Sequence, residues 1–229
     1  MAVTFNQIVP WGRSLREYEL MFGLEARHYA GGILDCGGGP ASFNAEVTVK
    51  GGRAVSVDPL YAVPAAEIEA RFEAIVEPML AQVRATPEDW TWGFHRDPED
   101  LRANRRAALD AFLADYERGK REQRYLIGEL PFLPFRAASF ALAVCSHLLF
   151  LYSDLLSEEF HVRSALELCR VAKEVRIFPL LTLQRELSPR VAPLRAAMET
   201  AGWKSEIVAT PYELQRGGNQ MLRLFQSHE

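Results

Sequence analysis

Two short segments constrain this chain more than any other feature: "ILDCGGGPAS" at 33–42 and "AVSVDP" at 54–59. Each starts as an apolar run of buried-strand length. The first ends in Asp35 and then Gly37, Gly38 and Gly39. Pro40 is expected in the first turn of the helix that follows, where its missing N–H costs nothing. Gly51 and Gly52 close that helix. A strand, glycine turn, helix and second strand in so few residues open a parallel α/β sheet, because parallel neighbours need a crossover connection.

The later segments extend that sheet. "RYLIGE" (124–129), "SFALAVCS" (139–146) and "EVRIFPL" (174–180) read as the third, fourth and fifth strands. Helical stripes separate the last two, over about 157–173, and follow the fifth from Ser188 and Pro189 to Gly202. "SEIVATPYEL" and "QMLRLFQ" flank Gly217, Gly218 and Asn219, which predicts a terminal antiparallel hairpin. Residues 1–30 form an N-terminal helical segment, with Ser14 as N-cap and an apolar stripe from Leu15 to Phe22. Residues 60–123 read as a helical insertion or cap after the second strand. Within it, Pro78 is expected to kink a helix, and Asp97 and Pro98 to start another. Residues 1–229 are taken as a single domain of α/β class, with helices on both faces of a mostly parallel sheet.

Composition excludes several function classes. The formal net charge of −4 disfavours a broad nucleic-acid-binding face, which needs clustered cations. Arg102, Arg105 and Arg106 lie beside Glu99 and Asp100 and read as a solvated face. The three cysteines make no disulfide framework and show no metal-ligand spacing, so no metal is expected and a cytoplasmic protein is. "MAVTFNQIVPWGR" lacks the pattern of a signal peptide, and the most apolar run, 140–152, is too short to span a bilayer.

Three cofactors compete for the glycine loop. A phosphate-binding P-loop needs GxxxxGK[ST], and neither the lysine nor the hydroxyl follows here. A dinucleotide loop needs GxGxx[GA]; Gly37 and Gly39 fit, but Ser42 stands at the last position. Asp35 beside the loop is expected to repel a pyrophosphate, by about 1–4 kcal/mol at 4 Å. A cationic nucleoside inverts that sign. S-adenosylmethionine carries a sulfonium and an ammonium against one carboxylate, and acids at the strand ends suit it. Asp58, about 20 residues beyond the glycines, is placed to accept from two ribose hydroxyls, and Glu129 from an adenine amino group.

At these residues the chain resembles the class I S-adenosylmethionine-dependent methyltransferases. "ILDCGGGPA" is similar to their glycine-rich first motif, with Ala41 in place of its last glycine, and "VSVDP" to their second. "IGELPFLPFRAASFALAVCSHLLFLY" is similar to the stretch from the adenine-contact acid through the fourth strand, with Ala141 where an aspartate is frequent. The resemblance covers roughly 31–58 and 124–229 and implies a Rossmann-like methyltransferase sheet. It implies cofactor contacts from Asp35, Gly37, Gly38, Gly39, Asp58 and Pro59. It implies further contacts from Glu129, Leu130, Ser146 and His147. A leading helix closes over the cofactor in such enzymes, which makes Arg13 and Tyr18 candidates for its carboxylate.

Methyl transfer needs orientation more than protein chemistry, and a base only where the acceptor loses a proton. His147, after the fourth strand, is the first catalytic candidate, and His95, in "WTWGFHR", the second. Each also has a bland reading, as a packed or cap-loop histidine. Trp90, Trp92 and Phe94 offer flat apolar surface for a small-molecule acceptor, or anchor the insertion. "SH" after the fourth strand does not match the motif of nucleobase amine methylation. The expected activity is methyl transfer to a small molecule. The alternatives are a non-catalytic sensor or partner protein binding S-adenosylmethionine or S-adenosylhomocysteine, and, more weakly, a nicotinamide-dependent oxidoreductase.

Overall fold

The computed structural model describes residues 11–226. The first ten residues, which carry most of the targeting-signal expectation and the start of the N-terminal segment, lie outside the described residues. Seven strands form one sheet: β1 (Ile33–Cys36), β2 (Ala54–Val57), β3 (Tyr125–Leu126), β4 (Leu142–Ser146), β5 (Glu174–Phe178), β6 (Lys204–Ala209) and β7 (Gln220–Phe225). Their order is β3-β2-β1-β4-β5-β7-β6. The pairs among β1–β5 are parallel, and β7 is antiparallel to both β5 and β6. This is the expected class of sheet, mostly parallel with an antiparallel pair at the C-terminal end.

The helices are α1 (Leu15–Phe22), α2 (Ala26–Gly31), α3 (Phe43–Val49), α4 (Ala65–Ala85), α5 (Pro98–Arg121), α6 (Glu158–Val171) and α7 (Val191–Thr200). Short apolar strands alternate their side chains between the two faces. Ile33, Ala54 and Val144 join a core with α1, α3, α4 and α5. Leu34, Val57, Cys145 and Val175 join the opposite core with α6 and α7. That alternation sends Asp35 to the α1 and α3 face, together with its register partner Ser56.

Local signals explain most helix ends. Ser14 and Glu17 form a reciprocal capping box at α1. Asp97 caps α5, with Pro98 in its first turn. Pro78 lies inside α4, which continues through it. Several boundaries differ from expectation. Helix α3 begins at Phe43, so Pro40 stays in the loop before it. Strand β3 is two residues long, because Glu129 and Phe132 bridge to each other and turn the chain away. Strand β4 begins only at Leu142. Helix α7 begins at Val191, with Ser188 and Pro189 in the preceding turn.

Between β2 and β3, α5 packs on α3 and β3 and provides the crossover, while α4 packs on α5. The segment after α4 is tied to the β6–β7 loop: Thr91 N–H donates to Leu214 O at 2.8 Å, and Arg216 Nη2 to Trp90 O at 3.0 Å. Among the described residues no helix is long and apolar enough to cross a membrane.

Candidate active site

The chain reverses its winding between β1 and β4, and ligands bind such sheets where that happens, outside the carboxyl ends of the strands. A cleft of about 440 Å³ opens there. The loop after β1 supplies Gly37, Gly38 and Gly39; the end of β2 supplies Asp58 and Pro59. The turn after β3 supplies Glu129 and Leu130, and the end of β4 Ser146 and His147. Arg13 and Tyr18 close it from the N-terminal side. Of the sequence-derived site residues, only Asp35 and His95 are absent from this wall.

Asp35 requires a correction. Its carboxylate is buried beneath the loop, with Oδ1 accepting from Tyr18 Oη at 3.0 Å and Oδ2 from Ser56 Oγ at 3.0 Å. Burial pushes its pKa up to about 7, against the Ser56 and Tyr18 hydrogen bonds, with the Asp58 charge adding to the rise. A Cβ on Gly38 would sit 2.1 Å from Asp35 Oδ2, so the loop rests directly on this acid and needs glycine there. Asp35 therefore supports the loop rather than presenting a charge to a ligand. The discrimination against a dinucleotide rests instead on topology, since the antiparallel β7 is foreign to the 3-2-1-4-5-6 parallel sheet of those proteins.

Asp58 does reach the cleft. Its Oδ2 accepts from Gly39 N–H and its Oδ1 from Leu60 N–H, both at 2.8 Å. These bonds aim the carboxylate and leave each oxygen a second lone pair for a hydroxyl. Burial raises its pKa, and the two backbone donors oppose that rise. Glu129 is exposed at the cleft mouth.

His147 follows β4 in the left-handed region, at φ 52°, a conformation that is unusual for a non-glycine residue. Its N–H donates to Phe178 O at 2.7 Å, and Ser146 Oγ lies 2.8 Å from its Nδ1. Burial, then the charges of Arg13 and Arg105, hold its pKa well below the usual histidine value, against Glu17. It is neutral at pH 7.

His147, Arg13 and Trp11 also line a second, smaller cavity, so these three side chains form a wall common to both. They reach it because Gly12 lies against the glycine loop: a Cβ there would sit 2.0 Å from Pro40 O. Ser42 N–H donating to Arg13 O at 3.1 Å fixes the same contact.

Next to this wall is a buried polar hub. Arg105 Nη1 pairs with Glu17 at 2.8 Å, and Tyr212 Oη donates to Glu17 Oε1 at 2.8 Å. His95 Nε2 lies 3.3 Å from the same carboxylate. Burial opposes ionisation of Glu17, but Arg105, His95 and Arg13 together hold its pKa well below the carboxylate range. His95 thus belongs to the hub and not to the cleft, a second correction. A third concerns Arg105, which is 1% exposed rather than solvated. The missed signal was its spacing: Leu101, Arg105, Ala108, Leu109 and Phe112 share the buried face of α5. Among the described residues, no group of three or more His, Cys, Asp and Glu is placed to hold a metal.

No family model matches the chain. A curated relative is the uncharacterized protein MJ0045 of Methanocaldococcus jannaschii, 30% identical over 212 residues, covering 92% of this chain and 93% of that protein. Solved structures similar to this chain include CalO1, a methyltransferase in calicheamicin biosynthesis, in an SAH-bound form, with TM-score 0.48, 15% identity, and 93% of this chain against 54% of that one. A putative S-adenosyl-L-methionine-dependent methyltransferase from Methanococcus maripaludis gives TM-score 0.46 and 12% identity, covering 94% of this chain and 84% of the other. The mitomycin 7-O-methyltransferase MmcR gives 0.47 and 12%, covering 93% and 54%. The chain spans about half the length of CalO1 and MmcR. At these identities the matches transfer no residue role or substrate.

Proposed function

We propose that this chain, which belongs to the family of the uncharacterized Methanocaldococcus jannaschii protein MJ0045 and has the class I methyltransferase fold, transfers a methyl group from S-adenosylmethionine to a small-molecule acceptor. The observation that carries this reading is Asp58: a carboxylate at the end of β2, aimed into the cleft by Gly39 and Leu60.

The cleft fits such a group. Asp58 would take the ribose hydroxyls, and the glycine-loop backbone would lie along the nucleoside. Glu129 accepts from the adenine amino group, and Arg13, with Tyr18 beside it, takes the carboxylate. The bound cofactor supplies an electrophilic methyl carbon on sulfur. The protein supplies orientation and, for an acceptor that loses a proton, a base. His147 stands between the two cavities and serves as that base through Nε2. The suitable tautomer has Nδ1–H donating to Ser146 Oγ, which itself has Met21 Sδ to donate to at 4.0 Å. The walls that exclude water are apolar: Leu130 and Leu148 in the cleft, Phe178 and Leu214 in the second cavity.

Thermal unfolding with S-adenosylhomocysteine, S-adenosylmethionine or NAD tests the reading. The first two should raise the midpoint and NAD should not, and Asp58→Ala should abolish the rise. Stabilisation by NAD alone, or by none of the three, would end it.

A further inference from the structure

The second cavity has a volume of about 90 Å³. Most of its wall is apolar, including Met79, Trp90, Leu151 and Leu214. Three buried N–H groups on wall residues have no hydrogen-bond partner: Trp11 Nε1, Arg13 Nε and Arg105 Nε. Among the described residues, no wall residue carries an unpartnered buried acceptor. A buried polar group without a partner costs about 1–3 kcal/mol, so a run of donors with no acceptor marks the place of a ligand rich in acceptors.

The charges point the same way. Arg13 and Arg105 share one buried carboxylate, Glu17. The other titratable groups facing these two arginines and Glu17 are the phenols Tyr18 and Tyr212, with His95 and the neutral His147. None supplies a second negative charge, so one positive charge stays uncompensated. Burial, then the nearby Arg105, pulls the Arg13 guanidinium below its ordinary value. The zwitterionic amino-acid end of the proposed cofactor would not change this balance, because its own charges cancel.

We infer that the methyl acceptor is a small organic acid, its carboxylate held by Trp11, Arg105 and the Nε of Arg13, whose Nη2 is left for the cofactor's carboxylate in the adjoining cleft, and its short apolar body packed against Met79, Trp90 and Leu214 in the second cavity. Only the word acceptor rests on the methyl-transfer reading; the preference for a carboxylate does not. An acid this size leaves the Arg105–Glu17 pair intact and supplies the missing acceptors at once.

Titrating the full chain with matched acids and amides tests this: propionate against propionamide, and benzoate against benzamide, followed by calorimetry. Each series is run with and without saturating S-adenosylhomocysteine. Each acid should bind at least about ten-fold more tightly than its amide, the effect of one charge-assisted hydrogen bond. Trp11→Phe, which keeps the ring and removes the donor, should weaken the acid several-fold, roughly five-fold or more, and leave the amide unchanged. Equal binding of acid and amide, or no acid binding in either series, overturns the inference, as does a Trp11→Phe loss shared equally by both. Should S-adenosylhomocysteine itself fail to bind, the methyl-transfer reading falls, while the series without it still decides the acid preference.

Discussion

Asp35→Asn separates a buried structural acid from a ligand-facing one. In the folded chain the carboxyl is held at about 7, against an ordinary 3.8, chiefly by burial. Between those values the folded state keeps a proton that the unfolded chain has released. Stability linked to Asp35 is therefore fully present below the unfolded value. It declines as pH rises and is lost by the time pH has passed the folded value. The whole change is about 4 kcal/mol, of which about 2–3 kcal/mol falls between roughly pH 5 and pH 8. Asparagine has the same shape and no charge to bury, and it still accepts from Tyr18 and donates to Ser56. The variant should thus gain about 2–3 kcal/mol on the native chain from about pH 5 to pH 8. Urea unfolding of both proteins across that range measures the difference directly. A difference that stays flat with pH refutes the account, because Asp35 would then titrate alike in both states. The same variant should bind S-adenosylhomocysteine within a few-fold of the native chain.

Two further outcomes follow from the same geometry. Gly38→Ala puts a methyl 2.1 Å from Oδ2 of Asp35, a carboxyl group that Ser56 and Tyr18 hold in place through its two oxygens, and should cost about 1–3 kcal/mol or more in urea unfolding; an unchanged midpoint would mean the loop shifts freely. His147→Gln should keep S-adenosylhomocysteine affinity and lower turnover by about 10²–10⁴-fold, as loss of a general base does. The native rate should be level above the ordinary histidine range and fall in acid, as His147 takes up its proton. A His147→Gln variant with the same acid limb would show that another group titrates.

Much of the cleft was legible because it is written in consecutive residues. A strand that ends in glycines, and a second that ends in Asp58, place their own chain at the carboxyl edge of a parallel sheet whatever the rest of the fold does. Period-2 alternation is equally local, yet its consequence for Asp35 was not. Whether that acid faces the cleft or the α1 side depends on which helices cover each face, and the burial beneath Gly38 that raises its pKa is a tertiary fact. His95 and Arg105 show the same limit. Their neighbours in sequence suggest a cap loop and a solvated patch, while their hydrogen-bonding neighbours in space are Glu17 and Tyr212, reached across separations of 78 to 107 residues.

The sequence by itself determined the centre of the candidate site, since backbone approach, strand end and acid lie within about 30 residues of one another. Tertiary structure alone decided the second cavity. Its wall draws on the N-terminal segment, α4, α5 and the loops after β4, β5 and β6. No local pattern encodes it, because an enclosed space, and the unpaired donors around it, exist only once distant segments have packed together.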